Sequence, residues 1–413
     1  MSSLTLIGAH RAVSSLLESR PKSWDVVRFK GLFDRLDRRN SDLSYEMLSL
    51  RSTGEVVARA EMGGRQEPDE SSLPRYLVAE VDDLVVNPMW LIGGGIGVSR
   101  RAGAVSPDYR VFRSRGALLP RFIHYLLRSQ PYLDQYLLYT RAQTTFDRRV
   151  QQPDLDNLPI PVPPLEEQRS IADYLDRATA RIDTLIEEQQ RLIEMLRERR
   201  HSLVDGVFGG HVPNVRLQNA CIDVVDCPHT TPEVSEDGEY EAVRTASVRN
   251  GEYRPGNGLP VDADTWKARN AAGAPTVGDV LFTREAPAGE ACMVPNDRIC
   301  LGQRMVLLRI DHTVCVGAFL LWQIYSDRVQ GHFRLSANGS TVANVRLPVL
   351  RTTPIWLPDL TEQRRIAAYL NEQTAKIDNL ITETEQFIEL SKERRSALIT
   401  AAVTGQIDVR EMA

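Results

Sequence analysis

The segment that decides the fold runs from Pro163 to Leu203 and reads PPLEEQRSIADYLDRATARIDTLIEEQQRLIEMLRERRHSL. It returns from Pro358 as PDLTEQRRIAAYLNEQTAKIDNLITETEQFIELSKERRSAL. Residues 163–210 and 358–405 lie 195 positions apart and share 23 of 48 residues without a gap. Chance gives only a few identities over such a length, so the two segments are an internal duplication.

Both copies carry the signals of a long helix. Pro163 and Pro164 end the preceding extended stretch, and Glu166 and Glu167 place carboxylates in the first turn, where the helix dipole favours them. Thr361 is the expected N-cap of the second copy. Apolar residues recur at alternating steps of four and three, the period of a coiled-coil seam. The expected seam residues are Ile171, Leu175, Ile182, Leu185, Leu192 and Leu196, then Ile366, Leu370, Ile377, Leu380, Phe387 and Leu398.

Polar residues interrupt the predicted seam at equivalent positions of the two copies. These positions are Gln189 with Thr384 and Arg199 with Arg394. They are either packing irregularities or devices that fix the alignment of the two helices. Each helix is expected to run for about 40 residues, or ~60 Å. The intervening chain is long enough to bring the two helices together as an antiparallel pair.

Composition limits the class of protein. The chain has 413 residues, too many for one ordinary core, and 42% of them are hydrophobic. No apolar run reaches the length needed to cross a bilayer, and the first residues do not resemble a signal peptide. The five cysteines form no CxxC pair, which disfavours a disulfide scaffold or a zinc site and favours a reducing, cytoplasmic location. The net charge of −5 comes mainly from the two repeats.

The similarity between the halves continues weakly upstream of each repeat. Residues 121–129 match residues 318–326, and residues 105–113 match residues 301–309. We expect strands within residues 109–112, 278–282 and 304–309, and short helices at residues 121–127 and 317–325. The predicted class is α+β, with two mixed α/β domains joined by two long helices in an antiparallel coiled coil and an internal pseudo-two-fold repeat. The predicted boundaries are 1–162 and 211–357 for the domains, 163–210 for the first helix, and 358–413 for the second helix and C-terminal tail.

The motif Pro163…Glu167-Gln168…Ile171-Ala172…Tyr174-Leu175 and its copy from Pro358 resemble the specificity subunits of type I restriction–modification systems. The ending Thr404-Gly405-Gln406-Ile407-Asp408 is also similar to the ending of that family. Asp359 stands where the second proline of the motif is usual, and aspartate also suits a helix start. The resemblance covers nearly the whole chain.

The resemblance implies a DNA-reading adaptor that does no chemistry itself. Each of two target recognition domains would read one half of a split double-stranded DNA site, and the coiled coil would set the gap. The repeated helices would dock two methyltransferase (modification) subunits, which would carry S-adenosylmethionine and methylate adenine N6. A motor-nuclease (restriction) subunit, using ATP and Mg²⁺, would join through them. This chain would hold no cofactor and contact no membrane.

The residues themselves offer no catalytic pattern. There is no amino-methyltransferase motif, the histidines show no metal-ligand spacing, and Gly93-Gly94-Gly95-Ile96-Gly97 lacks the lysine of a phosphate loop. Pro68-Asp69-Glu70 resembles the start of a nuclease motif, but no acidic-x-lysine follows it. A non-catalytic scaffold whose lobes bind proteins is the alternative, favoured only by the net negative charge.

Candidate DNA contacts are side chains that suit phosphates or base edges. The preferred segments lie just before each repeat and supply Arg141, Gln143, Thr144, Thr145, Arg148 and Arg149 in the first half and Arg334, Asn338, Ser340 and Thr341 in the second. Further candidates are Arg100, Arg101, Arg110 and Arg113, then His229, Thr230, Arg244, Arg249, Arg284, Gln303 and Arg304. For each of them the alternative is an ordinary solvated surface residue.

Overall fold

A computed structural model describes residues 20–63, 69–140, 148–336 and 344–412. It divides into two units, each built from parts of the chain that are distant in sequence. Unit 1 comprises Met1–Glu188 and Phe387–Ala413, and unit 2 comprises Gln189–Gln386. Each unit therefore contains one mixed domain and one portion of each long helix. No helix within the described ranges is long and apolar enough to cross a membrane.

The strands and helices alternate irregularly along the chain. The strands are β1 (Asp25–Arg28), β2 (Phe33–Leu36), β3 (Leu48–Leu50), β4 (Val56–Ala58), β5 (Leu77–Ala79), β6 (Leu84–Val86), β7 (Ile96–Val98), β8 (Gly103–Val105), β9 (Arg110–Ser114), β10 (Pro159–Val162), β11 (Val215–Arg216), β12 (Cys221–Asp226), β13 (Tyr240–Val243), β14 (Val248–Arg249), β15 (Glu252–Tyr253), β16 (Leu259–Val261), β17 (Val280–Thr283), β18 (Ala291–Met293), β19 (Ile299–Leu301), β20 (Met305–Ile310) and β21 (Pro354–Ile355). The helices are α1 (Phe29–Leu32), α2 (Pro120–Leu126), α3 (Gln130–Tyr139), α4 (Gln152–Asp156), α5 (Leu165–Phe208), α6 (Ala263–Arg269), α7 (Gly317–Ile324), α8 (Asp327–Ser336), α9 (Leu347–Thr352) and α10 (Leu360–Val403).

A four-stranded antiparallel sheet, ordered β2-β9-β6-β7, forms the centre of the domain in unit 1. Alternate residues of a strand point to opposite faces. Leu84 and Val86 of β6 accordingly join the main core with Phe122 of α2, whereas Val85 joins a second cluster that includes Leu48. The sheet is therefore covered on both faces.

The domain of unit 2 repeats this arrangement with different side chains. Its antiparallel sheet is ordered β12-β20-β17-β18. Val280 and Phe282 of β17 pack with Leu320 of α7, whereas Leu281 packs on the other face with Val243 of β13. The strands and short helices expected from the sequence are present, and the predicted fold class with its internal repeat is confirmed.

The long helices run antiparallel within each unit. In unit 1, Ile171 and Leu175 at the start of α5 share a core with Ala402 and Val403 at the end of α10. In unit 2, the end of α5 packs in the same way on the start of α10, through Phe208 and Leu370 among others. Each helix pair is thus anchored in the domain of its own unit.

One ion pair recurs between the helices in each unit. Arg395 Nε lies 2.9 Å from Asp183 Oδ1 in unit 1, and Arg200 Nε lies 2.9 Å from Asp378 Oδ1 in unit 2. These residues occupy equivalent positions of the duplication. Neither pair is fully exposed, so solvent screens both pairs less than it would an open surface bridge. The pairs link a specific residue of α5 to a specific residue of α10 and so define the helix alignment.

The seam differs from the sequence-based assignment in α10. Of the expected residues, Ile171, Leu175, Ile366, Leu370 and Ile377 are buried, Ile182, Leu185, Leu192, Leu196 and Leu398 are half-buried, and Leu380 and Phe387 are exposed by 49% and 42%. The buried positions nearby are taken by Thr384, Ile388 and Ser391. The seam therefore passes through Thr384 and Ile388 instead of Leu380 and Phe387.

Local hydrogen bonding explains why small polar residues can occupy the seam. Thr384 Oγ1 donates to Leu380 O at 2.6 Å, and Thr374 Oγ1 donates to Leu370 O at 2.7 Å. A threonine that satisfies its hydroxyl within its own helix can be buried without a partner on the other helix. Arg199 and Arg394, placed in the seam from the sequence, are instead exposed, and their neighbours Arg200 and Arg395 form the interhelical ion pairs.

The start of α10 also differs from the expectation. Asp359, not Thr361, caps the helix, because Asp359 Oδ1 accepts hydrogen bonds from the backbone N–H groups of Thr361 at 2.9 Å and Glu362 at 3.0 Å. Asp359 is the residue that replaces a motif proline, and its suitability for a helix start is confirmed.

Burial predicts different costs for two leucines of α10. Leu370→Ala removes a fully buried side chain and should lower the free energy of unfolding by about 3 kcal/mol, since it leaves a cavity. Leu380→Ala truncates an exposed side chain of the same helix and should change it by less than about 0.5 kcal/mol. Thermal or urea unfolding of the full chain measures both. Equal losses would contradict the seam described here.

Candidate nucleic-acid interface

Several candidate residues of unit 2 meet at one edge of its four-stranded sheet. β12 ends at Asp226, β17 ends just before Arg284, and β20 begins just after Arg304. Because the strands are antiparallel and ordered β12-β20-β17, these three points lie at the same edge. The loop with His229 and Thr230 follows β12 directly. The fold thus brings the candidate Arg284 to Asp226, a residue 58 positions earlier in the chain.

Asp226 organises this edge. Arg284 Nη1 donates to both carboxylate oxygens of Asp226 at 2.8 Å, and Cys227 N donates to Oδ1 at 3.0 Å. His229 Nε2 lies 3.3 Å from Oδ2, while its ring is largely exposed. Burial raises the pKa of the Cys227 thiol, so this cysteine is an uncharged packing residue. One carboxylate therefore positions an arginine and the first residues of the loop.

The turn before β20 forms the next part of the edge. Arg304 has a φ of 67° and accepts a backbone hydrogen bond from Arg284 N at 2.9 Å. Its Nε lies 3.3 Å from Glu285 Oε2, and about half of its side chain is exposed. Gln303 Nε2 donates to Thr231 Oγ1 at 3.1 Å. Arg304 and Gln303 thus present polar groups next to the His229 loop.

Arg269, in α6, binds the loop that contains His229 and Thr230. The sequence did not indicate it as a candidate. Its Nη2 donates to the carbonyls of Pro228 and Thr230, both at 3.2 Å, and its Nε donates to Leu301 O at 2.7 Å. Nothing in the spacing around Arg269 distinguishes it from other surface arginines. Only the fold brings α6 to the loop.

The corresponding edge of unit 1 is built from equivalent points of the chain. Val150 N donates to Pro88 O at 3.0 Å, just as Val345 N donates to Arg284 O at 2.9 Å in unit 2. Arg149 lies at this edge with its Nη2 3.8 Å from Asp108 Oδ1, and Arg148 is half-buried beside it. In both units, therefore, the chain returns to this edge, at Val150 or Val345, shortly before the short helix (α4 or α9) that precedes the long helix.

Other candidates have structural partners away from this edge. Arg110 is 8% exposed and donates from Nη2 to Val150 O at 3.0 Å, and burial lowers its pKa. Arg110 thus supports the edge from within, with most of its side chain buried. Arg113, further along β9, donates to both oxygens of Asp83 at 2.8 Å. Arg100 and Arg101 follow β7 at the opposite edge, where Arg101 pairs with Glu61 at 3.2 Å.

The remaining candidates divide into two groups. Arg244 donates to Asn257 O at 3.0 and 3.2 Å and lies beside the turn with Gln303, because Gly302 N donates to Val243 O. Arg249 is half-buried in β14, and Arg334 is exposed in the last turn of α8. The second group, Arg141, Gln143, Thr144, Thr145, Asn338, Ser340 and Thr341, lies outside the described residues.

A buried glutamine joins each long helix to its domain. Gln168 donates from Nε2 to Pro163 O at 2.8 Å and Ala117 O at 2.9 Å, and its Oε1 accepts from Leu119 N at 2.8 Å. Gln363 makes the equivalent bonds to Pro358 O, Val314 O and Val316 N, each at 2.8 Å. Both side chains are 0% exposed. The glutamine of the repeated motif therefore fixes the chain before α2 and before α7 against the helix start.

A second equivalent bond joins the short helices to the long ones. Tyr125 of α2 donates to Asp176 of α5 at 2.6 Å, and Trp322 of α7 donates to Asn371 of α10 at 2.6 Å. The chemistry of the two bonds differs, but the positions are equivalent in the duplication. Each unit thus uses the same attachment points, even where its side chains have diverged.

The comparisons with known proteins agree with this architecture. The family model for the type I restriction modification DNA specificity domain matches residues 103–195 and 225–390. The putative type I restriction enzyme MjaX specificity subunit of Methanocaldococcus jannaschii is 22% identical over 310 residues, which are 72% of this chain and 70% of the relative.

Two solved structures share the fold. A chain from a study of complex assembly and conformational transition of the type I R-M system has a TM-score of 0.75 and 20% identity, over 94% of this chain and all of that chain. The HsdS subunit of Thermoanaerobacter tengcongensis has a TM-score of 0.54 and 20% identity, over 94% and 98% of the two chains.

The family model covers more than half of the chain, and the chain therefore belongs to the family of type I restriction–modification DNA specificity subunits. The resemblance inferred from the repeated motif is confirmed. Such a subunit carries DNA recognition domains and is the non-catalytic component of its system.

The pair between Asp226 and Arg284 should be needed for the edge of unit 2. Asp226→Ala leaves a largely buried guanidinium without its carboxylate and should lower the free energy of unfolding by about 2 kcal/mol. Arg304→Ala, at the same edge, truncates a half-exposed side chain and should change it by less than about 0.5 kcal/mol. Chemical denaturation followed by tryptophan fluorescence compares the two variants. An unchanged Asp226→Ala protein would show that the pair does not organise the edge.

Proposed function

We propose that each unit of this chain reads one half of a bipartite double-stranded DNA site through the sheet edge described above. The observation that carries the proposal is the repetition of this edge in two units of one chain. Both edges are built at the ends of equivalent strands, and both receive the chain just before the long helix. A pair of similar edges with different side chains suits two half-sites of different sequence.

The chemistry of the edge in unit 2 supports DNA as the ligand. Arg304, Gln303, His229 and Thr230 offer a guanidinium, an amide, an imidazole and a hydroxyl, the groups that bind phosphates and base edges. Asp226 and Glu285 hold the neighbouring arginines in place, so the exposed donors are preorganised. Arg148 and Arg149 are the corresponding groups in unit 1.

The repeated helices carry equivalent residues that suit two copies of one partner. Tyr369 and Leu380 are each more than 40% exposed, and their spacing of 11 residues places them on one face of α10. The equivalent residues of α5 are Tyr174 and Leu185, which are half-buried. Two methyltransferase subunits, one on each copy, would fit this repetition. They would bring adenine N6 methylation and, through their own contacts, a motor-nuclease subunit.

Methylation mapping tests the DNA-reading role. The chain is co-expressed with its cognate modification subunit in a host without DNA methylation, and N6-methyladenine is mapped across the genome. We expect methylation at a split motif that disappears when this chain is omitted. Arg304→Ala should relax or abolish the motif in one half only, whereas Arg298→Ala, exposed at the other end of β19, should leave both halves unchanged. No methylation from an assembled complex would favour the protein-binding scaffold.

Exchange of residues 1–162 tests the modular reading. Replacement of this segment by the first domain of another specificity subunit should change one half of the methylated motif and preserve the other half. The reason is that each sheet edge belongs to its own unit. The unchanged half-site is the internal control, and a change in both halves would refute the proposal that the units read DNA separately.

The helices are proposed to set the distance between the half-sites. Seven residues inserted after Gln190 in α5 and after Glu385 in α10 lengthen equivalent positions by two helical turns. At 1.5 Å per residue this adds about 10 Å, or about three base pairs of duplex. The gap of the methylated motif should increase by about three base pairs. The same insertion in α5 alone is the control and should disrupt the seam and prevent assembly, and an unchanged gap in the double insertion would exclude the ruler.

A further inference from the structure

A cationic cavity lies in unit 1, between its domain and the portions of the long helices in that unit. It has a volume of about 270 Å³ and is lined by Ser52, Thr53, His124, Tyr125, Arg128 and Arg395, together with Ile399. Among the described residues, two guanidinium groups and no carboxylate line it. It has room for a phosphate-sized anion and several waters, since one water occupies about 30 Å³ in the liquid. None of its lining residues belongs to the sheet edge described above.

Arg128 is a half-buried cation whose hydrogen-bond partners, among the described residues, are all backbone carbonyls. Its Nη1 donates to the carbonyls of Gly94 and Ile96, and its Nη2 donates to Ser52 O at 2.8 Å. Among the described residues, no carboxylate forms an ion pair with Arg128. Burial, followed by the nearby charge of Arg395, lowers the pKa of Arg128. A buried charge that is satisfied only by carbonyls leaves a positive potential that favours an anion.

Of the other groups around the cavity, Arg395 adds to this potential, whereas the low pKa of His124 leaves its imidazole uncharged near pH 7. Arg395 Nε lies 2.9 Å from Asp183 Oδ1 without the angle of a hydrogen bond, so this nitrogen is not fully satisfied. Burial and the charges of Arg128 and Arg100 lower the pKa of His124 to about 4. The nearest carboxylates already have partners, since Glu55 accepts from Arg51 and Thr53, and Asp176 accepts from Tyr125 and Arg121. Lys392 lies three residues before Arg395 on α10, in an adjoining groove with Asp183.

The equivalent place in unit 2 lacks this character. Tyr325 replaces Arg128 in the alignment of the two halves, and its hydroxyl bonds to Glu290, Gly251 N and Ala291 N. The cavity there is lined by Arg200, the counterpart of Arg395, but also by carboxylates, among them Glu252, Glu290 and Asp378. The positive cavity is therefore a property of unit 1 alone and not a consequence of the repeat.

We propose that the cavity in unit 1 is a binding site for a phosphate-like oxyanion, held by Arg128 and Arg395 and by the hydroxyl of Ser52. Guanidinium groups bind tetrahedral oxyanions through charge-assisted hydrogen bonds, and a hydroxyl completes the set of donors. The phosphoryl group is supplied either by a free phosphate compound or by the DNA backbone, which present the same oxygen atoms. The site is independent of base reading at the sheet edges.

Binding of inorganic phosphate to the full chain tests the site. Isothermal titration at constant ionic strength, with chloride as the replaced anion, should show one phosphate bound per chain. Arg395→Gln should weaken this binding at least tenfold. Arg200→Gln removes the equivalent arginine and the equivalent ion pair in unit 2, and it should leave phosphate binding unchanged.

A second variant guards against loss of folding. Thr53 is exposed in a turn, so Thr53→Glu should preserve the fold, as thermal unfolding checks, while it places a carboxylate at the cavity. Phosphate binding should be lost. The proposal is overturned if wild type shows no phosphate binding above chloride, if Thr53→Glu binds normally, or if Arg200→Gln weakens binding as much as Arg395→Gln.

A duplex titration distinguishes the two sources of the phosphoryl group. If the backbone occupies the cavity, duplex DNA competes with inorganic phosphate, and Arg395→Gln weakens binding to every sequence and reduces the salt slope by about one. If a free phosphate compound occupies it, phosphate binds equally well in the presence of DNA and the duplex affinity of Arg395→Gln is unchanged. Both results retain the site, and neither depends on whether the methylation experiment succeeds.

Discussion

The buried side-chain amide in the first turn of each long helix is the constraint on which the rest of the structure depends. Gln168 and Gln363 each bind two backbone carbonyls and one backbone N–H, all of them away from water. An unsatisfied buried polar group is costly, so the helix start and the preceding domain segment must keep this geometry together. This amide thereby helps to fix the orientation of the domain on its helix, and the same attachment occurs in both units.

On this common framework the two units differ where ligands would bind. The attachment bond of Tyr125 to Asp176 becomes Trp322 to Asn371 without a change of position. At the sheet edge, by contrast, unit 2 has an arginine held by Asp226, and unit 1 has a proline at the equivalent place. The cavity beside Arg128 is cationic in unit 1 and contains carboxylates in unit 2. Duplication thus preserved the contacts that hold a unit together and left the exposed surfaces free to diverge.

The helix seam shows how far a pattern of apolar residues can be trusted. The period of 3.5 predicted two long helices and their pairing correctly, because a sustained apolar face must be buried. It misplaced Leu380 and Phe387, because the seam there is occupied by Thr384 and Ser391, which are small and polar. A threonine that bonds to its own helix behaves as a small apolar residue, and a hydrophobicity pattern cannot register that. The sequence placed Arg199 and Arg394 in the seam, but the next residues, Arg200 and Arg395, form the interhelical ion pairs. The reason is related, because a long charged side chain can reach across a seam from a position beside it.

The sequence by itself determined the duplication, the two helices, the presence of a mixed domain before each of them, and the family. These properties depend on periodicity and on a motif of neighbouring residues, which are readable along one dimension. Only the tertiary structure decided which arginines are exposed and which have a protein partner. Arg110 donates to a backbone carbonyl, and Arg113 and Arg284 donate to carboxylates, of residues 30 or more positions away. The tertiary structure also brings Arg269 to Pro228, Arg128 to Ser52 and Arg395 to Asp183. The physical reason is that the role of a charged side chain is set by its burial and by the nearest opposite charge, and both depend on contacts between distant parts of the chain.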